Sequence, residues 1–142
     1  MANYYAIIRT NYFSVTDEAK FREIIGSCGA AEDEIQVFEE MASDGTKQFG
    51  FGCYGTICGI PTGEDEDDEP DLDAFYDALQ SVLVEDNAIM ITEVGFEKLR
   101  YLIGHCTVIT KHEIQGINIR DKAIELARSI LGNPDFTTKM EY

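Results

Sequence analysis

Two stretches of this chain are apolar on both alternating faces: "YYAIIR" from Tyr4 to Arg9, and "NAIMITEVG" from Asn87 to Gly95. A strand with one face in water alternates apolar and polar residues, so a two-sided apolar pattern points to a central strand. The chain of 142 residues has room for one such core and one domain.

The segments between these strands have clear periods. A helix is expected from about Asp17 to Cys28, with Thr16 as its N-cap and Gly29 as its stop, because Phe21, Ile24, Ile25 and Cys28 recur at helical spacing. "EIQVFEEM" alternates Ile35 and Val37 against polar residues and suits a half-exposed strand. "SDGT" is a hairpin turn, and "KQFGFGCYG" returns as the partner strand, with Phe49, Phe51 and Cys53 on one side and Gly50 and Gly52 on the other.

The longest apolar stripe is Leu72, Phe75, Tyr76, Leu79, Val82 and Leu83, a helix whose first turn Pro70 suits and whose positive end Asp71 and Asp73 complement. After the second two-sided strand, "KLRYLIG", "CTVITK" and "IQGINI" are expected as three short meandering strands. A last helix from about Asp121 to Leu131 turns Ala123, Ile124, Ala127 and Leu131 inward and ends at "GNP". The order is β-α-β-β-α-β, then strands, then a helix. The expected class is α+β: a single domain over 1–142 with a ferredoxin-like start, extended by a β-meander and a C-terminal helix.

Charge narrows the partners. Acids outnumber bases 27 to 11, for a net charge of −16, and phosphate contacts need Lys and Arg. Direct nucleic-acid binding is therefore disfavoured, and a basic protein partner fits better. No run approaches the roughly 18 apolar residues of a membrane span, and "MANYYAIIRT" lacks the pattern of a signal peptide. Cys28, Cys53, Cys58 and Cys106 form no CxxC pair or regular framework, so reduced thiols and a cytoplasmic location are expected.

"GEDEDDEPDLD" holds eight acids in eleven residues and forms an acidic loop at 63–71 that runs into the second helix. It fails as an EF-hand, which needs Gly at position six and Glu at twelve: counted from Asp65 those positions are Pro70 and Tyr76, and from Asp67 they are Leu72 and Ala78. With these eight set aside, 19 acids still face 11 bases, so the acidity is global. Glu32, Asp33, Glu34, Glu39 and Glu40 make a second patch, and Asp73 and Asp77 lie one helical turn apart. The candidate partner-binding residues are Glu64, Asp65, Glu66, Asp67, Asp68, Glu69, Asp71, Asp73 and Asp77. The plain alternative is a solvated loop that keeps the protein soluble.

Other motifs carry less. "GFGCYG" is a literal G-x-G-x-x-G, but "TICGIPTGEDEDDE" follows it where a dinucleotide site needs a helix. Its glycines suit close approach of another element, or a ligand groove. Cys53, Cys58, His105 and Cys106 could be combined as zinc ligands, yet the first pair is Cys-x4-Cys and the second pair is adjacent, pointing to opposite faces of a strand. Only His105 and His112 could serve a Cys–His nucleophile, and nothing pairs either with a thiol and an oxyanion donor. No metal, cofactor or catalytic residue is assigned.

"TNYFSVTDEAKF", "FGFGCYG", "EVGFEKLRY" and "LGNPDFTTKMEY" together resemble a family of short acidic proteins of unknown function from Gram-positive bacteria and their mobile elements, over nearly the full length. The resemblance implies a mobile-element setting and attaches no activity or site. The expectation is a cytoplasmic, non-enzymatic protein that binds a basic protein surface, possible as a nucleic-acid mimic against a host defence nuclease. A small-molecule-binding or regulatory domain, which could pair as a homodimer, is the alternative, and a cysteine or metal-dependent enzyme is the third class.

Overall fold

The structure, a computed structural model, describes residues 4–63 and 69–139. Its strands are β1 (Tyr5–Thr10), β2 (Gly29–Ala30), β3 (Gln36–Met41), β4 (Lys47–Tyr54), β5 (Ile57–Gly59), β6 (Ile89–Glu97), β7 (Tyr101–Ile109) and β8 (Ile114–Asn118). The helices are α1 (Glu18–Ser27), α2 (Leu72–Val82) and α3 (Ile119–Leu131). Six strands form one antiparallel sheet in the order β3-β4-β1-β6-β7-β8, and β2 and β5 pair separately. The domain is α+β, with the two apolar stretches at its centre: β1 lies between β4 and β6.

Those central strands are buried on one face only. Along β1, Ala6, Ile8 and Thr10 are buried while Tyr5, Ile7 and Arg9 are exposed; along β6, Ile89 and Ile91 are buried while Met90, Val94 and Phe96 are exposed. Apolar side chains on both faces thus meet helices on just one.

Phenylalanines fill that covered side. Phe75 of α2 meets Phe51 of β4 edge-on at 6.0 Å, Phe51 meets Phe13 at 6.3 Å, Phe13 meets Phe21 of α1 at 5.7 Å, and Phe21 meets Phe49 at 5.3 Å. Each of the five is at most 2% exposed. Full burial of one such ring contributes about 1.5–3 kcal/mol, and edge-to-face contacts add about 0.5–1.5 kcal/mol per pair. Phe13 is held there by reciprocal backbone hydrogen bonds with Phe49, both 2.8 Å. Three residues on, the Thr16 N–H donates to the Val82 carbonyl at 2.7 Å, tying the same segment to the end of α2.

The helix ends show why side-chain reach decides a cap. Asp17, not Thr16, caps α1 by accepting from the Lys20 N–H at 3.1 Å, because the Thr16 hydroxyl donates instead to Val82. Asp71 caps α2 by accepting from the Ala74 N–H at 3.2 Å, which leaves Pro70 outside the first turn. Asn118 caps α3, and Gly132 in the left-handed conformation ends it.

Two expected elements differ. "KLRYLIG" and "CTVITK" are one nine-residue strand, because β7 pairs with β6 without a break from Tyr101 to Ile109, through Gly104. Helix α3 starts two residues early and buries none of its side chains: Ile124 and Ala127 are half-buried, and Ala123 and Leu131 are exposed.

Replacing Phe51 by Ala should lower unfolding stability by about 3–5 kcal/mol in urea melts, whereas Phe96→Ala, on the bare face, should cost the isolated monomer far less. Equal losses would contradict a core confined to one side.

Candidate interaction surfaces

The helix-bearing side carries an acidic edge. Strand β5 pairs with β2, and just after it Ile60 exchanges backbone hydrogen bonds of 3.2 and 2.8 Å with Asp71. The loop with Glu32, Asp33 and Glu34 leaves β2, so β5 links that loop to the start of α2. Glu69, Asp71, Asp73 and Asp77 are exposed there, as are Glu32, Asp33 and Glu34, and none of these forms an ion pair among the described residues. Glu64, Asp65, Glu66, Asp67 and Asp68 lie outside the described residues. The small β2–β5 sheet had no signal in the sequence.

Glu39 and Glu40 do not join this edge. Glu39 bonds Arg22 and lies 3.6 Å from Lys47, which also holds Glu18 at 3.0 Å. Lys47 and Arg22 together hold the Glu18 carboxyl below the usual carboxylate range. Glu40 pairs in register with Gln48 and so faces the opposite side of the sheet from Glu39.

A polar row crosses the covered face of the sheet. Register aligns Cys53, Ile8, Glu93, His105 and Asn118 on successive strands. The Tyr4 hydroxyl donates to Glu93 Oε2 at 2.6 Å, and burial, then Glu93 itself, pushes the phenol strongly up. His105 Nε2 lies 3.2 Å from Thr107 Oγ1. A void of about 30 Å³ borders Tyr76, Glu93, His105 and Thr107, the volume of one water. Glu93 was not singled out by sequence, because a carboxylate among 27 carries no signal until its register is known, and Tyr76 was read only as part of the α2 apolar stripe.

The cysteine–histidine set does not converge. Cys53 on β4 and His105 on β7 are three strand spacings apart, about 14 Å, and Cys106 points to the other face, where it accepts from the Thr92 hydroxyl at 3.5 Å. Cys58 is exposed on β5. Among the described residues no three His, Cys, Asp or Glu side chains could share a metal ion. Burial pushes the Cys28 and Cys53 thiols up to about 11, so both are protonated, weak nucleophiles at neutral pH.

The opposite face of the sheet carries no helix over β4, β1 and β6. Register places Tyr54, Ile7 and Val94 in one row and Tyr5, Phe96 and Leu102 in the next, and all six are between 48% and 71% exposed. Of the glycines of "GFGCYG", Gly50 and Gly52 lie on this face and are closely overlain, whereas Gly55, just past β4, abuts Glu32. A Cβ at Gly52 would come within 2.6 Å of the Ile8 carbonyl, and the Arg9 side chain runs over the strand to place its guanidinium 4.4 Å from the Phe38 ring centre.

Helix α3 leans on the far end of this face. Ile119 sits against Gly104, where any side chain would collide with it, and the helix continues outward. Between helix and sheet runs an open groove of about 440 Å³, lined chiefly by Val94, Gly104, Ile117, Ile119, Ala123 and Leu126. Its walls are almost wholly apolar. No helix among the described residues is long and apolar enough to cross a membrane. Comparisons with protein-family models, curated proteins and solved structures find no match to this chain.

Thiol ionisation gives a pH test. A buried thiol raised from about 9 to about 11 keeps its stabilising effect below the unfolded value and loses it as pH rises towards the folded one. Urea midpoints should therefore hold to about pH 9 and fall towards pH 11, and Cys53→Ala should flatten that fall. An unchanged slope in the variant would remove Cys53 as its source.

Proposed function

We propose that this chain works by binding, and that its acidic edge occupies a basic surface on a partner protein. The observation that carries this reading is the tie between β5 and Asp71. It links the Glu32–Glu34 loop to Glu69, Asp71, Asp73 and Asp77, while Arg22 and Lys47 are engaged by Glu18 and Glu39. Other cations are also used internally: Lys111 Nζ donates to the Gln80 and Ser81 carbonyls at the end of α2, and Arg128 donates to the Phe136 carbonyl. These four cations have their partners away from the edge.

The strand order β3-β4-β1-β6, with α1 and α2 on one face, fits a ferredoxin-like unit to which β7, β8 and α3 are added. On that scaffold the acids can act as an electrostatic substitute for nucleic acid. Asp73 and Asp77 are about 6 Å apart along α2, sparser than the one charge per about 1.7 Å of duplex axis. Mimicry thus needs the Glu32–Glu34 loop and the acidic segment, Glu64–Glu69, beside them. The resemblance to acidic proteins of mobile elements directs the partner towards a host defence nuclease, in a reducing compartment such as the cytoplasm.

The other classes have less support. At Gly50, Gly52 and Gly55 the space is taken by the Asn11 carbonyl, by the Ile8 carbonyl and Arg9, and by Glu32. The groove beside α3, though Thr92, His105, Asn118 and Lys122 border it, exposes almost no polar surface to orient a small ligand. A cysteine enzyme would need Cys53 and His105 brought across two intervening strands.

Affinity capture with the wild-type chain and an Asp73→Asn/Asp77→Asn/Glu69→Gln variant tests the proposal. The wild type should retain a basic, nucleic-acid-binding protein at 50 mM salt and release it by several hundred millimolar, and added DNA should compete. The variant should bind at least about tenfold more weakly, as the loss of three charge contacts implies. Capture that is indifferent to salt and to the three substitutions would overturn it.

A further inference from the structure

We propose that the helix-free face of the sheet, together with α3, is where a second copy of this chain docks to form a two-fold dimer. The inference rests on apolar surface rather than on the acidic edge. Strands β1 and β6 carry apolar residues on both faces although helices cover one, and unpaired apolar faces of this extent mark interfaces.

Helix α3 points the same way. At 100° per residue its apolar side chains, from Ile119, Ala123, Leu126 and Ile130 round to Ile124, Ala127 and Leu131, sweep an arc of roughly 160°, interrupted by Arg120. One sheet edge covers only part of such an arc, and no residue of α3 is buried. Leu126, Ile130 and Leu131 are 61%, 75% and 60% exposed. A helix so built needs a surface on its second flank.

Area and charge select the occupant. Three half-exposed aromatics and the aliphatic side chains around them offer on the order of 1,000 Å² of apolar surface, against the roughly 800 Å² per partner of a standard interface. From β4 to β8 this face holds no carboxylate, and its one charge, Arg9, is engaged with Phe38 and Tyr12. Glu40 of β3 and Asp121 and Glu125 of α3 lie outside those strands, so in a chain of net charge −16 the strands offer the surface on which an equally acidic copy meets the fewest opposing carboxylates. A basic partner would find no carboxylate on those strands to pair with. An isologous contact needs a self-complementary patch, and apolar rows facing apolar rows satisfy that at the usual sheet-to-sheet spacing of about 10 Å. The acidic edge of each copy then stays on the outside, so the dimer presents two.

Sedimentation equilibrium of the full chain from 1 to 100 µM decides it. The expected result is a particle of twice the 15.9 kDa chain mass, with association unchanged or tighter at 0.5 M salt. That salt response is opposite to the one expected for a basic partner, so the two proposals fail separately. Val94→Asp and Leu102→Glu replace side chains that are 58% and 71% exposed in the monomer, so folding is tolerated and is checked by circular dichroism. Each should raise the dissociation constant at least about 100-fold, the scale of an interface hot spot, while Asp73→Asn leaves it unchanged. A wild type that stays monomeric at 100 µM overturns the proposal. So does a dimer that both variants leave intact, or binding of the monomer to neutral phosphatidylcholine vesicles through this face.

Discussion

Phe13 is the residue on which the rest of the covered side depends. It contacts Phe21 from one helix and Phe51 from the sheet, and its own backbone is pinned to Phe49. The segment it belongs to then reaches the end of α2 through Thr16 and Val82. One irregular stretch between β1 and α1 thereby ties two helices to β4. Aromatic rings can do this because each brings a large buried area with only two side-chain rotations to order. Helices α1 and α2 lie on this covered face, where α2 reaches across to β7 and bonds the Thr110 carbonyl through Gln80, whereas α3 packs beside β7 and β8 from the other face.

That arrangement divides the molecule. The helix-bearing side collects carboxylates, partly neutralised where Arg22 and Lys47 sit between Glu18 and Glu39, and left bare along β5 and the start of α2. The other side collects apolar residues and has scarcely any charge. Segregation of this kind is what lets a strongly acidic chain hold two sorts of contact at once. Long-range repulsion acts everywhere, but it is weakest where carboxylates are sparse, as on β4 to β8 of that side, and salt screens it over about 8 Å in physiological conditions. Binding through charge and association through apolar area then respond to salt in opposite directions.

Much of this was open to reading from residues in order. The α2 stripe, the β3–β4 hairpin and the Gly132 stop of the closing helix follow from local periods and turn chemistry, which act within a few residues. Gly104 was misread as a break because a glycine within a strand and a glycine between strands look alike locally; nine consecutive pairings with β6 override it. The α1 cap shifted by one residue because Thr16 had a distant competitor, the Val82 carbonyl. The β2–β5 pair, only two and three residues long, carries no periodic signal at all.

The sequence alone determined the class of fold, the central place of β1 and β6, the opposed directions of His105 and Cys106, and the strongly negative charge of the chain. These depend on alternation, helical period and composition, which are properties of neighbours along the chain. Tertiary structure decided what covers each face. Apolar residues on both sides of β1 state that two surfaces must leave water, but only the placement of α1, α2 and α3 reveals that the protein supplies one of them. Cover is a long-range property: it depends on helix length, on where Phe13 anchors the helices and on how far α3 projects, none of which is encoded within the strand it leaves bare.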